Sequence, residues 1–128
     1  CVLKMFIFMV RDSNSYQNLL VWQKSLDFTV SIYFHTKYFP LDERFGMTSQ
    51  MRRAAVSISS NIAEGQARHT HRQFIQFLSI ARGSLSELET QIIIASRLNY
   101  ISNESEHDLL ARSEEIGKML VGLIKSIR

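Results

Sequence analysis

Residues 44–65 read RFGMTSQMRRAAVSISSNIAEG, and the rest of the chain is organised around them. Met47, Met51, Ala54, Ala55, Ile58 and Ile62 recur at helical spacing, so one side of a helix here faces a core. Between them lie Arg52, Arg53, Ser57, Ser60, Asn61 and Glu64, a band of small and polar side chains that ends at Gly65. Small residues let a neighbouring helix approach closely, and their polar groups must then find partners, because buried unsatisfied groups are costly. An ordinary surface helix would carry lysine and glutamate instead. This one is built to be touched on more than one side.

Three further helices follow from the flanking sequence. Asn14 or Ser15 is placed to cap a first helix running to about Tyr38, with Leu19, Trp22, Leu26, Thr29, Val30, Ile32 and Tyr33 as its inward stripe. Pro40 stops it, because proline lacks the backbone donor and disfavours helix at the preceding residue. The second helix runs from about Phe45 to Glu64, with Gly65 as a left-handed C-cap and Gln66–His69 as a short basic turn. Thr70-His71-Arg72-Gln73 fits a capping box and opens a third helix, where Phe74, Leu78, Ala81, Leu85, Leu88, Ile92 and Ala95 form a heptad seam. Ser102 or Asn103 caps the fourth, whose seam is Leu109, Ile116, Leu120, Leu123 and Ile127, interrupted by Ser113. Four amphipathic helices with short connections predict an all-α fold, an antiparallel up-down-up-down four-helix bundle over residues 16–128.

Composition agrees. With 128 residues, 45% of them hydrophobic, the chain suffices for one domain with a filled core, and a single proline and five glycines suit long helices. The only cysteine is Cys1, so no intrachain disulfide forms and a reducing, cytoplasmic setting is expected. The apolar run Val2–Val10 is much shorter than the ~20 residues of a membrane span. Residues 1–15 are read as an N-terminal extension preceding the natural start, with Met9 the candidate start, and no membrane partner is expected.

Catalytic and metal chemistry find no constellation. Di-iron bundles need two Glu-x-x-His pairs with two further glutamates, and this chain has one such string, Glu104-Ser105-Glu106-His107, where acids favour a helix N-terminus anyway. His69 and His71 straddle a turn without the ligands that complete a zinc site. No nucleophile elbow or glycine-rich phosphate loop is present, and Glu87 and Glu89, two apart on a helix, point away from each other. The expectation is a non-enzymatic protein with no cofactor and no metal.

The basic residues say more. Arg44, Arg52, Arg53, Arg68, Arg72 and Arg82 face one acid, Glu64, in the segment 44–82, a local charge of +5. The segment 99–128 has five acids against four bases. Guanidinium is a forked donor that suits phosphate and also buried carboxylate. Arg52 and Arg53, within an apolar helix, are expected to pair with Glu64, Glu87 or Glu89 across the bundle or between subunits, ordering a polar layer that includes Asn61. Arg68, His69, His71 and Arg72 are expected to form a basic rim that meets RNA or DNA backbone, with Lys24 a further contact. Trp22 and Phe45 are either core or anchors in a neighbouring subunit. The apolar stripes are wider than a monomer needs, which points to self-assembly. The rival to nucleic-acid binding is an interaction scaffold that docks a partner protein.

One resemblance adds to this. The strings Val21-Trp22-Gln23-Lys24, Glu43-Arg44-Phe45-Gly46, Gln50-Met51-Arg52-Arg53-Ala54-Ala55, Ser60-Asn61-Ile62-Ala63-Glu64-Gly65 and Glu87-Leu88-Glu89-Thr90-Gln91 carry it. The run Leu20–Arg128 resembles the small bacterial bundle proteins encoded within 23S ribosomal-RNA intervening sequences. That resemblance implies a four-helix bundle assembled as a homopentameric ring, with no firm activity. Accessory proteins of diversity-generating retroelements are similar and bind nucleic acid and a reverse transcriptase. The family often has proline where this chain has Ser59, which bears on whether the second helix kinks.

Overall fold

The computed structural model describes residues 16–128. The Asn14 or Ser15 cap, the run Val2–Val10 and the start at Met9 lie outside them. A single 3₁₀ turn, Tyr16–Asn18, leads into α1 (Leu20–Thr36), and a second, Leu41–Glu43, leads into α2 (Met47–Gln66). Then come α3 (His71–Arg97) and α4 (Asn103–Ile127). Each helix packs against its successor and α4 closes onto α1, while the diagonal pairs α1/α3 and α2/α4 do not approach. Short connections make successive helices antiparallel, so this is the expected up-down-up-down bundle.

Local chemistry sets the helix ends. Thr70 caps α3 by accepting from the Gln73 amide at 3.1 Å, and Ser102 caps α4 by accepting from the Ser105 amide at 3.0 Å. Asn99, at φ 62°, ends α3 in the left-handed region. The Tyr100 amide then reaches Ala95 O (2.9 Å) and the Asn99 amide Ser96 O (3.0 Å), the paired bonds of a Schellman cap. The expected left-handed cap at Gly65 is absent: α2 continues through it to Gln66, and no glycine among the described residues has positive φ. Gly65 is there for proximity. A Cβ on it would lie 2.8 Å from Phe77 Cβ and 3.3 Å from Phe74 O, so its hydrogen lets α3 press against the end of α2.

The heptad seam of α3 is the core as expected, with Leu78, Ala81, Leu85, Leu88, Ile92 and Ala95 buried and Phe74 packed at its margin. From α2 it receives Met51, Ala54, Ala55, Ile58 and Ile62. Helix α2 is unbroken at Ser59, whose hydroxyl donates to Val56 O at 3.3 Å. In α1 the inward face differs from the one expected. Val21, Ser25, Phe28, Ile32 and Thr36 are buried, whereas Leu26, Val30 and Tyr33 are exposed. Apolar residues occupy both faces, so periodicity alone could not choose between them. The buried side admits the small hydroxyls, which donate to carbonyls one turn back: Ser25 to Val21 O (2.7 Å) and Thr36 to Ile32 O (2.8 Å). Thr29 also lies 3.1 Å from Ala55 O, tying α1 to α2.

Ser113 of α4 is fully buried and its Oγ has no hydrogen-bond partner. Leaving a buried hydroxyl unmatched costs about 1–3 kcal/mol. Ser113→Ala is therefore expected to stabilise the bundle by about 1 kcal/mol, raising the Tm by several degrees in thermal denaturation. An unchanged or lowered Tm would mean that the hydroxyl is engaged.

Candidate nucleic-acid interface

The connection between α1 and α2 is held by one carboxylate. Glu43 Oε2 accepts from the Tyr100 hydroxyl at 2.9 Å, and its Oε1 stands 3.4 Å from the Met47 amide at the start of α2. The bond to Glu43 favours the protonated phenol and holds the Tyr100 pKa above its ordinary value, with desolvation adding to it. The Phe39 and Tyr100 rings meet beside it at a tilt of 51°, 5.1 Å between centroids. Both loops at this end of the bundle are thereby joined, and the segment after Glu43 turns Arg44 and Phe45 outward.

Arg44 and Phe45 form one wall of an open groove of about 660 Å³, continued by Tyr33, Thr48, Ser49, Arg52, Arg53 and Val56. Three guanidinium groups line it and no carboxylate does. Arg52 is oriented before any ligand arrives. Its Nε donates to Thr36 Oγ1 (2.9 Å), its Nη2 to Tyr33 O (3.4 Å), and its guanidinium lies over the Tyr33 ring at 4.6 Å. Arg44 lies 5.4 Å from the centroid of the Phe45 ring. Cations stacked on aromatic faces keep their edges available for anions.

The expected partners of Arg52 and Arg53 are not reached within one chain. Among the described residues no ion pair joins either to Glu64, Glu87 or Glu89. Glu64 is engaged by Arg68 instead, at 2.8 Å one turn away. Among the described residues Glu87 accepts from Gln91 Nε2 at 3.4 Å and forms no ion pair, and Glu89 lines a separate α3/α4 groove with Arg82, Glu114 and Lys118. Asn61 Nδ2 donates to Ser57 O at 2.7 Å, and the Ser57 and Ser84 hydroxyls meet at 2.8 Å, so the polar layer forms between α2 and α3 without its arginines.

The basic turn lies at the far end of α2, roughly 20 Å from Arg53 at 1.5 Å per residue. Arg68, His69, His71 and Arg72 are all exposed there. Arg68 is partly committed, since it pairs with Glu64 and lies over the Phe77 ring at 4.7 Å. Lys24 bonds Glu115 on α4 at 2.7 Å. Trp22 is half-buried, edge-on to Tyr16 at 5.2 Å, and Phe45 is exposed. What composition counted as one cluster of arginines is dispersed: Arg44, Arg52 and Arg53 line one groove, Arg68 and Arg72 lie beyond the other end of α2, and Arg82 lines the α3/α4 groove. The groove at Arg44 was not singled out from sequence, because its partners Tyr33 and Thr36 come from another helix.

No group of three or more His, Cys, Asp or Glu side chains able to hold a metal occurs among the described residues. None of the described helices is long and apolar enough to cross a membrane. The sequence model of the 23S rRNA-intervening sequence proteins matches residues 17–122. The chain belongs to that family. A solved structure from Bacteroides thetaiotaomicron VPI-5482, a protein with unknown function from the S23 ribosomal protein family, is similar in sequence and fold. It shares 33% identity at a TM-score of 0.77, over 83% of this chain and 99% of that one. Among curated proteins none matches.

Proposed function

We propose that this 23S rRNA-intervening sequence protein is a non-enzymatic, cytoplasmic bundle that self-assembles, as a pentamer by family resemblance, and binds the backbone of RNA or DNA through exposed arginines. The observation that carries the reading is the carboxylate-free groove with Arg44, Arg52 and Arg53, supplemented by Arg68, His69, His71 and Arg72 at the opposite end. Guanidinium groups with open edges suit phosphate oxygens. Nothing in either patch suits base-specific reading, so recognition is of charge and shape. Assembly repeats each patch on every copy, and linked weak contacts add to a strong one.

The test is binding of fluorescently labelled mixed-sequence RNA and DNA at low salt. Arg68→Ala/Arg72→Ala and, separately, Arg44→Ala/Arg53→Ala are expected to weaken it by roughly tenfold or more with assembly intact, each pair lowering the salt slope by about 2 if both arginines meet phosphate. Arg52 is left in place because it ties α2 to α1. Equal binding by both variants and the parent would overturn the reading. A second reading, a scaffold for a partner protein, is favoured by the exposed apolar face of α1. It predicts binding that ignores both arginine pairs.

A further inference from the structure

Phe45 stands 87% exposed in the connection between α1 and α2, where it walls the arginine groove. Among the described residues no other ring packs on it. The Arg44 guanidinium lies over it, 5.4 Å from its centroid. One cation cannot cover both faces of a ring this exposed, so a face stays open. In the same groove Tyr33, 43% exposed, carries the Arg52 guanidinium at 4.6 Å. Each ring is thus paired with a cation, and Arg53 supplies a third. None of the lining residues is an acid. Glu43, next to Arg44 in the chain, is held by the Tyr100 hydroxyl and faces the Met47 amide instead.

Rings are more than a phosphate site needs, since cations alone suffice to attract a backbone. A ring with an open face, set among guanidinium groups, offers in addition a place for a flat apolar group that a polyanion carries. An unpaired base is such a group. Proteins that hold single strands combine these two elements, a basic groove for the backbone and aromatic faces for successive bases. In a duplex each base is stacked on its neighbours, its face is closed, and Phe45 gains nothing from it. An apolar peptide would meet the rings but leave three cations without an anion.

We propose that the groove takes a single strand of nucleic acid, with an unpaired base stacked on the open face of Phe45 and the flanking phosphates held by Arg44, Arg52 and Arg53. This rests on the phosphate-binding reading above and names the form of nucleic acid that the groove selects. Stacking is tolerant of sequence because every base has a flat face, so the groove still reads no particular base. The consequence runs against charge alone. A duplex carries its phosphates more densely, and a groove that read only the backbone would bind it at least as tightly as a single strand.

The experiment titrates the full chain by fluorescence anisotropy against labelled probes. These are a mixed-sequence RNA strand, the matching DNA strand, the duplex of each, and a DNA strand of equal length whose sugars lack bases. The parent is expected to bind either strand about tenfold more tightly than the duplexes or the abasic strand, the worth of one stacked base. Phe45→Ala should remove that advantage while leaving duplex affinity and the salt slope unchanged, and Phe45→Trp should keep it. Comparing base-bearing with abasic strands needs no variant, so the test holds even where Phe45→Ala fails to fold. Equal affinity of the parent for those two strands overturns the stacking. The phosphate reading then still stands if Arg44→Ala/Arg53→Ala weakens both. A Phe45→Ala variant that weakens every probe alike assigns the ring to folding or assembly and likewise overturns the stacking. A parent that binds no probe at all overturns both readings.

Discussion

Raising salt from 50 to 200 mM should weaken RNA or DNA binding by this protein about 10³–10⁵-fold, if the assembled copies neutralise six to ten phosphates. The magnitude comes from counterions. Each guanidinium that meets a phosphate releases a condensed cation, and the favourable entropy of that release shrinks as bulk salt rises. The groove and the basic turn of one copy together hold Arg44, Arg52, Arg53, Arg68 and Arg72, fewer than roughly six to ten contacts, so that range draws on more than one copy along a strand. Fluorescence anisotropy titrations across this range, with RNA and DNA of mixed sequence, measure the slope. A slope near that of a single contact would mean that the copies do not act together. Strong binding with no salt dependence would remove the electrostatic mechanism altogether.

Substitution of Gly65 should be the most damaging single change at the α2/α3 contact. Alanine there is expected to cost about 1–2 kcal/mol and leucine about 3 kcal/mol or more, a large part of a total stability of about 5–15 kcal/mol. The Cβ of any residue would stand 2.8 Å from Phe77 Cβ and 3.0 Å from Phe74 Cδ1. Phe74 O, at 3.3 Å, is backbone and cannot rotate away. The helix ends must therefore separate, and the gain in helix propensity from alanine, about 1 kcal/mol, offsets only part of that. Asparagine separates this account from a cap. A left-handed C-cap tolerates asparagine, whereas a close helix contact makes it worse than alanine. Urea denaturation of the three variants ranks them: Ala, then Asn, then Leu in increasing damage supports the contact, and Asn near the parent rejects it.

Much of this molecule was legible in the chain. Periodicity placed α3 and its seam, because a heptad sustained from Phe74 to Ala95 leaves one face able to enter a core. Thr70 and Ser102 were recognisable as caps because capping is a contact between residues three apart. Membership of the 23S rRNA-intervening sequence family was legible too, since its motifs are contiguous strings. Gly65 was misread for the same local reason: glycine after a helical run usually marks a C-cap, and nothing nearby in sequence reports that Phe74 and Phe77 press on it.

Helix α1 and the arginines show where locality ends. A helix apolar on both sides satisfies the same period whichever side turns inward, and the choice fell to the side where Ser25, Thr29 and Thr36 let α2 come close. Composition along the chain established a basic central segment and an all-helical fold. Tertiary structure alone dispersed that charge over separate places on the bundle, gave Arg52 to Thr36 and Tyr33 rather than to a glutamate, and left an apolar face of α1 on the outside. The physical reason is that charge and periodicity are sums over neighbours in the chain, whereas partnership depends on which helix stands alongside.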